Sequence, residues 1–183
     1  KAQLANYSLG GGFTSRLNLN LREDKGWTYG AGSQFVASKY GGSFQFSSGI
    51  RADATDSALV EIIADVKNYL TSGPNKEELS FMKSAISQGD ARSYETGYQK
   101  AAFIGKILDY NLPANFTEQQ AKILNDLTQE QVKAYANRFI QPERMNILLV
   151  GDKNKILEGV KKLGYEIIEL DNDGNRIGTK KAF

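Results

Sequence analysis

An arginine and a tyrosine seven positions apart form the most suggestive pair in this sequence. Arg22 lies near the end of a helix-like run, and Tyr29 lies at the start of a strand-like run. Asp24, Lys25 and Gly26 favour a break between them, and such a turn can bring both polar tips to one place. The chain has no histidine and no cysteine, so a site formed by these two residues lacks the usual metal ligands and the usual general base and would be only part of an active site.

Both residues also have an ordinary structural interpretation. Arg22 can pair with Glu23 or Asp24 at a solvated helix end, and Tyr29 can be an aromatic residue at the rim of the fold. Spacing alone favours the structural interpretation, because a motif match is only a hypothesis. The single tryptophan, Trp27, lies in the proposed turn, where it either packs against the core or lines a cleft.

The bulk properties predict one folded domain. The 183 residues with 40% apolar content can build a core without disulfides. The 23 basic and 21 acidic residues nearly balance, which argues against nucleic-acid binding. No apolar stretch has the length of a membrane span, and the composition fits either cytoplasm or periplasm. Because Lys1 already lies in a helical pattern, we expect the chain to be part of a longer protein.

Hydrophobic periodicity predicts an α+β fold, with a mixed or antiparallel sheet packed against several helices. Two early strands are expected to form a hairpin, and two further strands are expected late in the chain. The helix after the hairpin has the clearest amphipathic pattern. The predicted strands are 29–39, 43–51, 146–151 and 165–170, and the predicted helices are 4–9, 13–24, 59–70, 75–111, 116–126, 128–139 and 153–163.

A longer signature surrounds the arginine and the tyrosine. It resembles the insulinase-like (pitrilysin, M16) zinc metallopeptidases, and in particular the second, non-zinc domain of their paired unit. The likeness is specific from Leu9 to Tyr29 and looser over most of the remaining chain. It implies that residues 1–183 form one such domain that lacks its first strands. The motifs that carry it are Leu9-Gly10-Gly11-Gly12, Ser15-Arg16-Leu17, Leu21-Arg22-Glu23 and Gly26-Trp27-Thr28-Tyr29.

The resemblance also implies a function. In that family one domain holds zinc through a His-x-x-Glu-His motif, and the facing domain contributes an arginine and a tyrosine that hold the peptide. These map onto Arg22 and Tyr29, with Tyr29 also stabilising the oxyanion that forms during hydrolysis. The resemblance therefore implies peptide or unfolded polypeptide as substrate and zinc in a partner domain, of the same or another chain. This chain itself would hold no cofactor and would not be catalytic alone.

The sequence also has alternative interpretations, one for the whole chain and two for short segments. The chain can instead be a non-catalytic structural or peptide-binding subunit that retains the peptidase fold. The glycines at 10–12 before a helix suggest a phosphate cradle, but the Gly-Lys-Ser/Thr of a P-loop is missing. The polar run 171–175 suggests calcium, but the glutamate expected at the twelfth position of an EF-hand is replaced by Lys180.

Overall fold

Helices flank a β-hairpin in the described part of the chain. The computed structural model describes residues 1–92 and 95–177. Within these residues the sheet consists of two antiparallel strands, β1 (Thr28–Ser38) and β2 (Gly41–Ile50). The α-helices are α1 (Ala2–Asn6), α2 (Arg16–Asn18), α3 (Thr55–Ser72), α4 (Lys76–Arg92), α5 (Gly97–Tyr110), α6 (Phe116–Asp126), α7 (Gln129–Phe139) and α8 (Lys153–Lys161). The remaining helical segments are the π-helical Tyr7–Gly11 and Leu19–Asp24 and the 3₁₀ turns Ala52–Ala54 and Pro142–Arg144. The predicted α+β class is confirmed.

The N-terminal helical segment is fastened to strand β1 by a glycine and a buried asparagine. A Cβ at Gly10 would lie 2.1 Å from Ser33 Oγ, so only glycine lets the two backbones approach this closely. Asn6 donates from Nδ2 to Ser33 O at 2.6 Å and accepts from Ser33 Oγ at 2.6 Å. The helical segment ends at Gly11, two residues beyond the predicted end at Leu9.

The hairpin has the alternation that its sequence predicts. On β2, Phe44, Phe46 and Ile50 are partly buried and pack against the core, whereas residues 45, 47 and 49 are exposed. Across the hairpin Phe35 pairs with Phe44, with ring centroids 5.1 Å apart. One face of the hairpin therefore covers the helices, and the opposite face is exposed.

Helix α3 provides much of the core. Its inward face carries Ala58, Ile62, Val66 and Tyr69, all buried, and burial of each larger apolar side chain contributes about 1.5–3 kcal/mol. The Tyr69 hydroxyl donates to Ala5 O at 2.8 Å, which satisfies the polar atom of an otherwise apolar contact. The other core residues are Ala5, Leu9, Leu17, Leu21, Ala31, Met82, Leu124, Leu127, Val132, Ala136 and Ile140.

An ion pair joins the beginning of α2 to the beginning of α4. Arg16 donates from Nε to Glu78 Oε1 at 2.6 Å and from Nη2 to Glu78 Oε2 at 2.7 Å. The guanidinium also donates to Gly73 O at 2.9 Å and stacks over the Tyr69 ring at 5.0 Å. Glu78 accepts from Asn75 N, and Asn75 Oδ1 accepts from Glu78 N, both at 2.7 Å, so the two residues form a reciprocal cap at the start of α4.

The two late strands are wrong predictions. Residues 146–150 have no strand pairing, and in the described part of residues 165–177 the pairing is limited to one isolated bridge, Leu170 with Arg176. Leu148 is 76% exposed and Val150 is 91% exposed. An apolar run becomes a strand only when a neighbouring strand completes its hydrogen bonds, and the described residues place none beside it. The predicted helix 75–111 is also divided, into α4 and α5.

Candidate functional site

Arg22 lies on the π-helical segment that continues α2. Lys25 N donates to Asn20 O at 3.0 Å, a hydrogen bond that spans five residues instead of four. Leu21 is fully buried in the core, so the next side chain, Arg22, turns toward the surface. The sequence pattern thus anchors the segment through its leucines and leaves the arginine partly accessible.

The Arg22 guanidinium rests on an aromatic ring. Its central carbon lies 4.6 Å from the centroid of the Phe13 ring, and Phe13 is 70% exposed. Nη1 lies 2.9 Å from Glu23 Oε1, so the ion pair expected from the structural interpretation is present. That contact lacks hydrogen-bond geometry, since Nη1 is buried without a hydrogen-bond partner in the described residues. Arg22 is therefore held by a ring and a charge rather than by a hydrogen bond of Nη1.

Tyr29 is fully exposed and sits in a β-bulge. Its exposure is 100%, and among the described residues its hydroxyl has no hydrogen-bond partner. Two residues of β1, Tyr29 and Gly30, lie opposite one residue of β2, Gly49. A bulge changes the direction of the side chain that it carries. The pairs that flank the bulge are Thr28 with Ile50 and Ala31 with Ser48.

Two hydroxyl groups stabilise the bulge. Thr28 Oγ1 accepts from Gly30 N at 3.1 Å and donates to Gly30 O at 2.9 Å. From β2, the Ser48 hydroxyl lies 2.9 Å from both Thr28 Oγ1 and Gly30 O. The backbone around Tyr29 is consequently fixed by side chains as well as by the strand ladder.

A tight turn connects the arginine to the tyrosine. Gly26 adopts φ +63°, a conformation that glycine tolerates readily. Trp27 N donates to Leu21 O at 2.9 Å, and Arg51 N donates to Trp27 O at 2.9 Å. Trp27 is partly buried and packs against the core, which is the first of its two predicted roles. The turn brings the start of β1 against the π-helical segment, although no described hydrogen bond or ring contact joins Arg22 directly to Tyr29.

Asn18 connects the two parts of the site. It is 3% exposed, its Nδ2 donates to Phe13 O at 2.7 Å, and its Oδ1 accepts from Ala31 N at 2.9 Å. One end of the amide holds the loop that carries the ring beneath Arg22. The other end holds the residue of β1 that follows the bulge with Tyr29.

The acidic residues near the site are not arranged as metal ligands. Asn20 Nδ2 donates to Glu61 Oε2 at 3.0 Å and to Asp65 Oδ2 at 2.9 Å. Burial, together with the nearby Glu61 charge, raises the pKa of Asp65, while the Asn20 hydrogen bond and the Arg16 charge oppose that rise. Across residues 1–92 and 95–177, no group of three or more potential ligands is placed to hold a metal ion.

Some residues that support the site were not predicted from the sequence. Phe13, Leu17 and Leu21 have helical spacing in the sequence, which predicts one shared face, yet both leucines are fully buried and Phe13 is largely exposed. Asn18 carried a recognisable signal, because it is a polar residue between two core leucines. Thr28 and Ser48 carried none, since their role depends on the register of the hairpin.

None of the helices in the described part of the chain is long and apolar enough to cross a bilayer.

Comparison with known proteins shows similarity to one protein family. Residues 1–86 match the family described as the peptidase M16 inactive domain. A solved structure of a peptidase M16 inactive domain from Pseudomonas fluorescens is 30% identical, with a TM-score of 0.71 over 76% of this chain and 34% of that one. Among curated proteins, none matches the chain significantly.

Two more distant structures share the fold. A protease from Helicobacter pylori is 21% identical, with a TM-score of 0.65 over 75% of this chain and 34% of that one. The periplasmic protease PqqL from Escherichia coli is 18% identical, with a TM-score of 0.62 over 76% of this chain and 16% of that one. This chain spans about a third or less of the length of each of these three structures.

Proposed function

Because the chain belongs to the peptidase M16 family as a domain of the inactive, non-zinc type, we propose that it is the substrate-binding half of a zinc metallopeptidase. In this proposal the whole chain acts as one domain that faces a zinc-bearing partner domain, in the same or another polypeptide. Arg22 holds the peptide, and Tyr29 donates a hydrogen bond to the carbonyl oxygen that is being attacked.

The observation that carries the proposal is the full exposure of Tyr29 on a stabilised β-bulge. Its ring is 100% exposed on a bulge that hydroxyl groups stabilise from both strands. Full exposure of a tyrosine contributes nothing to the core, whereas the hydrogen bonds beneath it fix the backbone from which the side chain extends. A hydroxyl donor presented toward a partner domain can stabilise the negative charge that develops on an attacked carbonyl oxygen.

The surroundings of Arg22 support the binding role. The guanidinium is oriented by Phe13 and Glu23, and its buried Nη1 atom makes no hydrogen bond within the described residues. Its planar fork therefore has donors for peptide carbonyl groups or a carboxylate. Binding of the peptide by Arg22 would place the scissile carbonyl group near the Tyr29 hydroxyl.

Zinc would belong to the partner domain. With no histidine and no cysteine in the chain, its donor set does not fit a peptidase zinc site. The metal would supply the activation of water, and this chain would supply position and charge stabilisation. The residues described here accordingly orient the peptide and take no part in holding the metal.

Cleavage of quenched fluorescent peptides in the presence of zinc tests the proposal. We expect the 183-residue chain alone to be inactive and the full polypeptide, or the chain with its zinc-bearing partner, to be active. In the active protein Tyr29→Phe should lower kcat roughly 10²–10³-fold, the usual cost of an oxyanion donor. Arg22→Ala should raise KM, because it removes a contact with the peptide.

Tyr98→Phe is the matched control, because Tyr98 is also highly exposed, at 85%, but lies on α5. Activity that is insensitive to both Arg22→Ala and Tyr29→Phe would refute the assigned roles. A full-length protein that cleaves no peptide, with every candidate partner chain present, would instead favour a structural or peptide-binding subunit that keeps the peptidase fold.

A further inference from the structure

A buried asparagine connects the two halves of the proposed site. We propose that Asn18 is a positioning residue that sets the location of Arg22 relative to Tyr29. This inference rests on the proposed function of that pair. Asn18 touches neither side chain in the contacts described above, so its effect on catalysis would be indirect.

Toward Arg22, Asn18 acts through the backbone of Phe13. Its Nδ2 group donates to Phe13 O at 2.7 Å and thereby holds the loop that follows the glycines at 10–12. The exposed Phe13 ring is the surface on which the Arg22 guanidinium stacks, at 4.6 Å. Without this hydrogen bond the loop is free to shift, and the ring beneath Arg22 shifts with it.

Toward Tyr29, Asn18 acts through the backbone of Ala31. Its Oδ1 atom accepts from Ala31 N at 2.9 Å, at the position where β1 resumes regular pairing after the bulge. Thr28 and Ser48 fix the bulge within the hairpin. The two hydrogen bonds of Asn18 therefore fix this part of the hairpin to the loop that supports Arg22.

The chemistry of the side chain suits this task. An amide carries a donor and an acceptor on one rigid group, so a single residue satisfies a carbonyl group and an N–H group. Both partners are backbone atoms, and the side chain is 3% exposed. An alanine at this position would leave both backbone groups without this partner and would remove the connection between loop and strand.

Kinetics of the zinc-loaded full polypeptide on a quenched fluorescent peptide provide the test. Asn18→Ala should lower kcat roughly 10- to 100-fold, the range expected when reacting groups are displaced by up to an ångström. KM should change much less. In a Tyr29→Phe background the same substitution should cost less than about twofold, because coupled residues are not additive.

Asn6→Ala is the matched control for lost stability. Asn6 is also 3% exposed and also makes two hydrogen bonds to β1, but both go to Ser33 and neither reaches the Phe13 loop. It should lower the thermal midpoint by a similar amount and leave kcat of the folded protein close to wild type. If Asn18→Ala does not fold, Asn18→Ser, whose hydroxyl can accept from Ala31 N, is used for the same comparison.

The outcomes separate the two proposals. If Arg22→Ala and Tyr29→Phe impair cleavage but Asn18→Ala behaves like Asn6→Ala, Asn18 is only structural and this inference is wrong. An equal loss of kcat from Asn18→Ala with and without Tyr29→Phe would overturn it as well. If Arg22→Ala and Tyr29→Phe have no effect, the proposed function fails, and the role of Asn18 fails with it.

Discussion

At the scale of single residues, the contact between Phe13 and Arg22 gives a measurable prediction. The guanidinium carbon is 4.6 Å from the ring centroid, and Phe13 is 70% exposed. A cation stacked on an aromatic ring at an exposed site gains roughly 0.5–1 kcal/mol. We expect Phe13→Leu to raise KM for a quenched peptide about two- to fivefold, the factor equivalent to that energy. The value of kcat should change little, because Arg22 binds the peptide and does not stabilise the oxyanion.

Phe81→Leu is the control for this change, because Phe81 is a half-exposed phenylalanine on α4. Its substitution should leave KM unchanged. In an Arg22→Ala protein, Phe13→Leu should no longer affect KM. An unchanged effect of Phe13→Leu in the absence of Arg22 would mean that the ring contacts the peptide directly, and the supporting role would be wrong.

At the scale of elements, the first helical segment approaches β1 closely at Gly10. A Cβ at Gly10 would lie 2.1 Å from Ser33 Oγ and 2.8 Å from Ser33 N. Because the second contact is to backbone, a side-chain rotation cannot relieve the clash. We expect Gly10→Ala to lower the free energy of unfolding by about 1–3 kcal/mol, the usual cost of overpacking. Denaturation with urea measures the change.

Gly105→Ala is the matched substitution with the opposite expected sign. Gly105 lies inside α5, and a Cβ there meets no described atom within 4 Å. Replacing glycine by alanine within a helix should stabilise the protein by roughly 0.5–1 kcal/mol. Equal destabilisation by both variants would show that the clash at Gly10 is not the cause.

Elements specified by local signals were predicted well from the sequence, and elements specified by distant partners were not. Thr128 and Gln131 cap α7 reciprocally, as their spacing indicates. The hairpin strands also lie where alternation places them. The late strand 146–151 failed because apolar composition reports a tendency to be buried, whereas strand formation needs a partner at the correct register.

The candidate site shows that the same limit applies to individual contacts. A motif placed Arg22 and Tyr29 at the end of a helical segment and the start of a strand, and the structure agrees with those positions. The bulge under Tyr29 and the hydrogen bonds of Asn18 depend on which residues face each other across the hairpin and the loop. That pairing is not encoded in any short stretch of sequence.

At the scale of the whole molecule, the Arg16–Glu78 ion pair joins α2 to α4 and also reaches the end of α3 through Gly73 O. Burial disfavours the charged Glu78 carboxylate, but hydrogen bonds from Arg16 and Asn75 N, with the Arg16 charge, outweigh burial and lower the pKa of Glu78. The hydrogen bond to Glu78 raises the pKa of Arg16, and its effect is larger than the opposing effect of burial. We expect Glu78→Gln to lower the free energy of unfolding at pH 7 by roughly 1–3 kcal/mol, as for hydrogen bonds to charged groups.

The pH dependence of that loss has a definite sign. A carboxyl group with a lowered pKa in the folded state stabilises the fold above its unfolded pKa, which is about 4.3 for glutamate. This stability disappears as the pH falls through the lower folded value. Wild-type and Glu78→Gln proteins should therefore differ most at neutral pH and converge in acid. Urea denaturation at a series of pH values between about 3 and 7 covers this range.

Asp65 gives the opposite slope in the same experiment. Burial and the neighbouring Glu61 raise the pKa of Asp65 despite the hydrogen bond from Asn20 and the Arg16 charge. Its charged form therefore destabilises the fold above the folded pKa, and this penalty vanishes as the pH falls below the unfolded value. Relative to wild type, Asp65→Asn should gain stability at neutral pH and lose that advantage in acid. If both variants shifted the profile in the same direction, net charge rather than these local contacts would control the acid stability of the molecule.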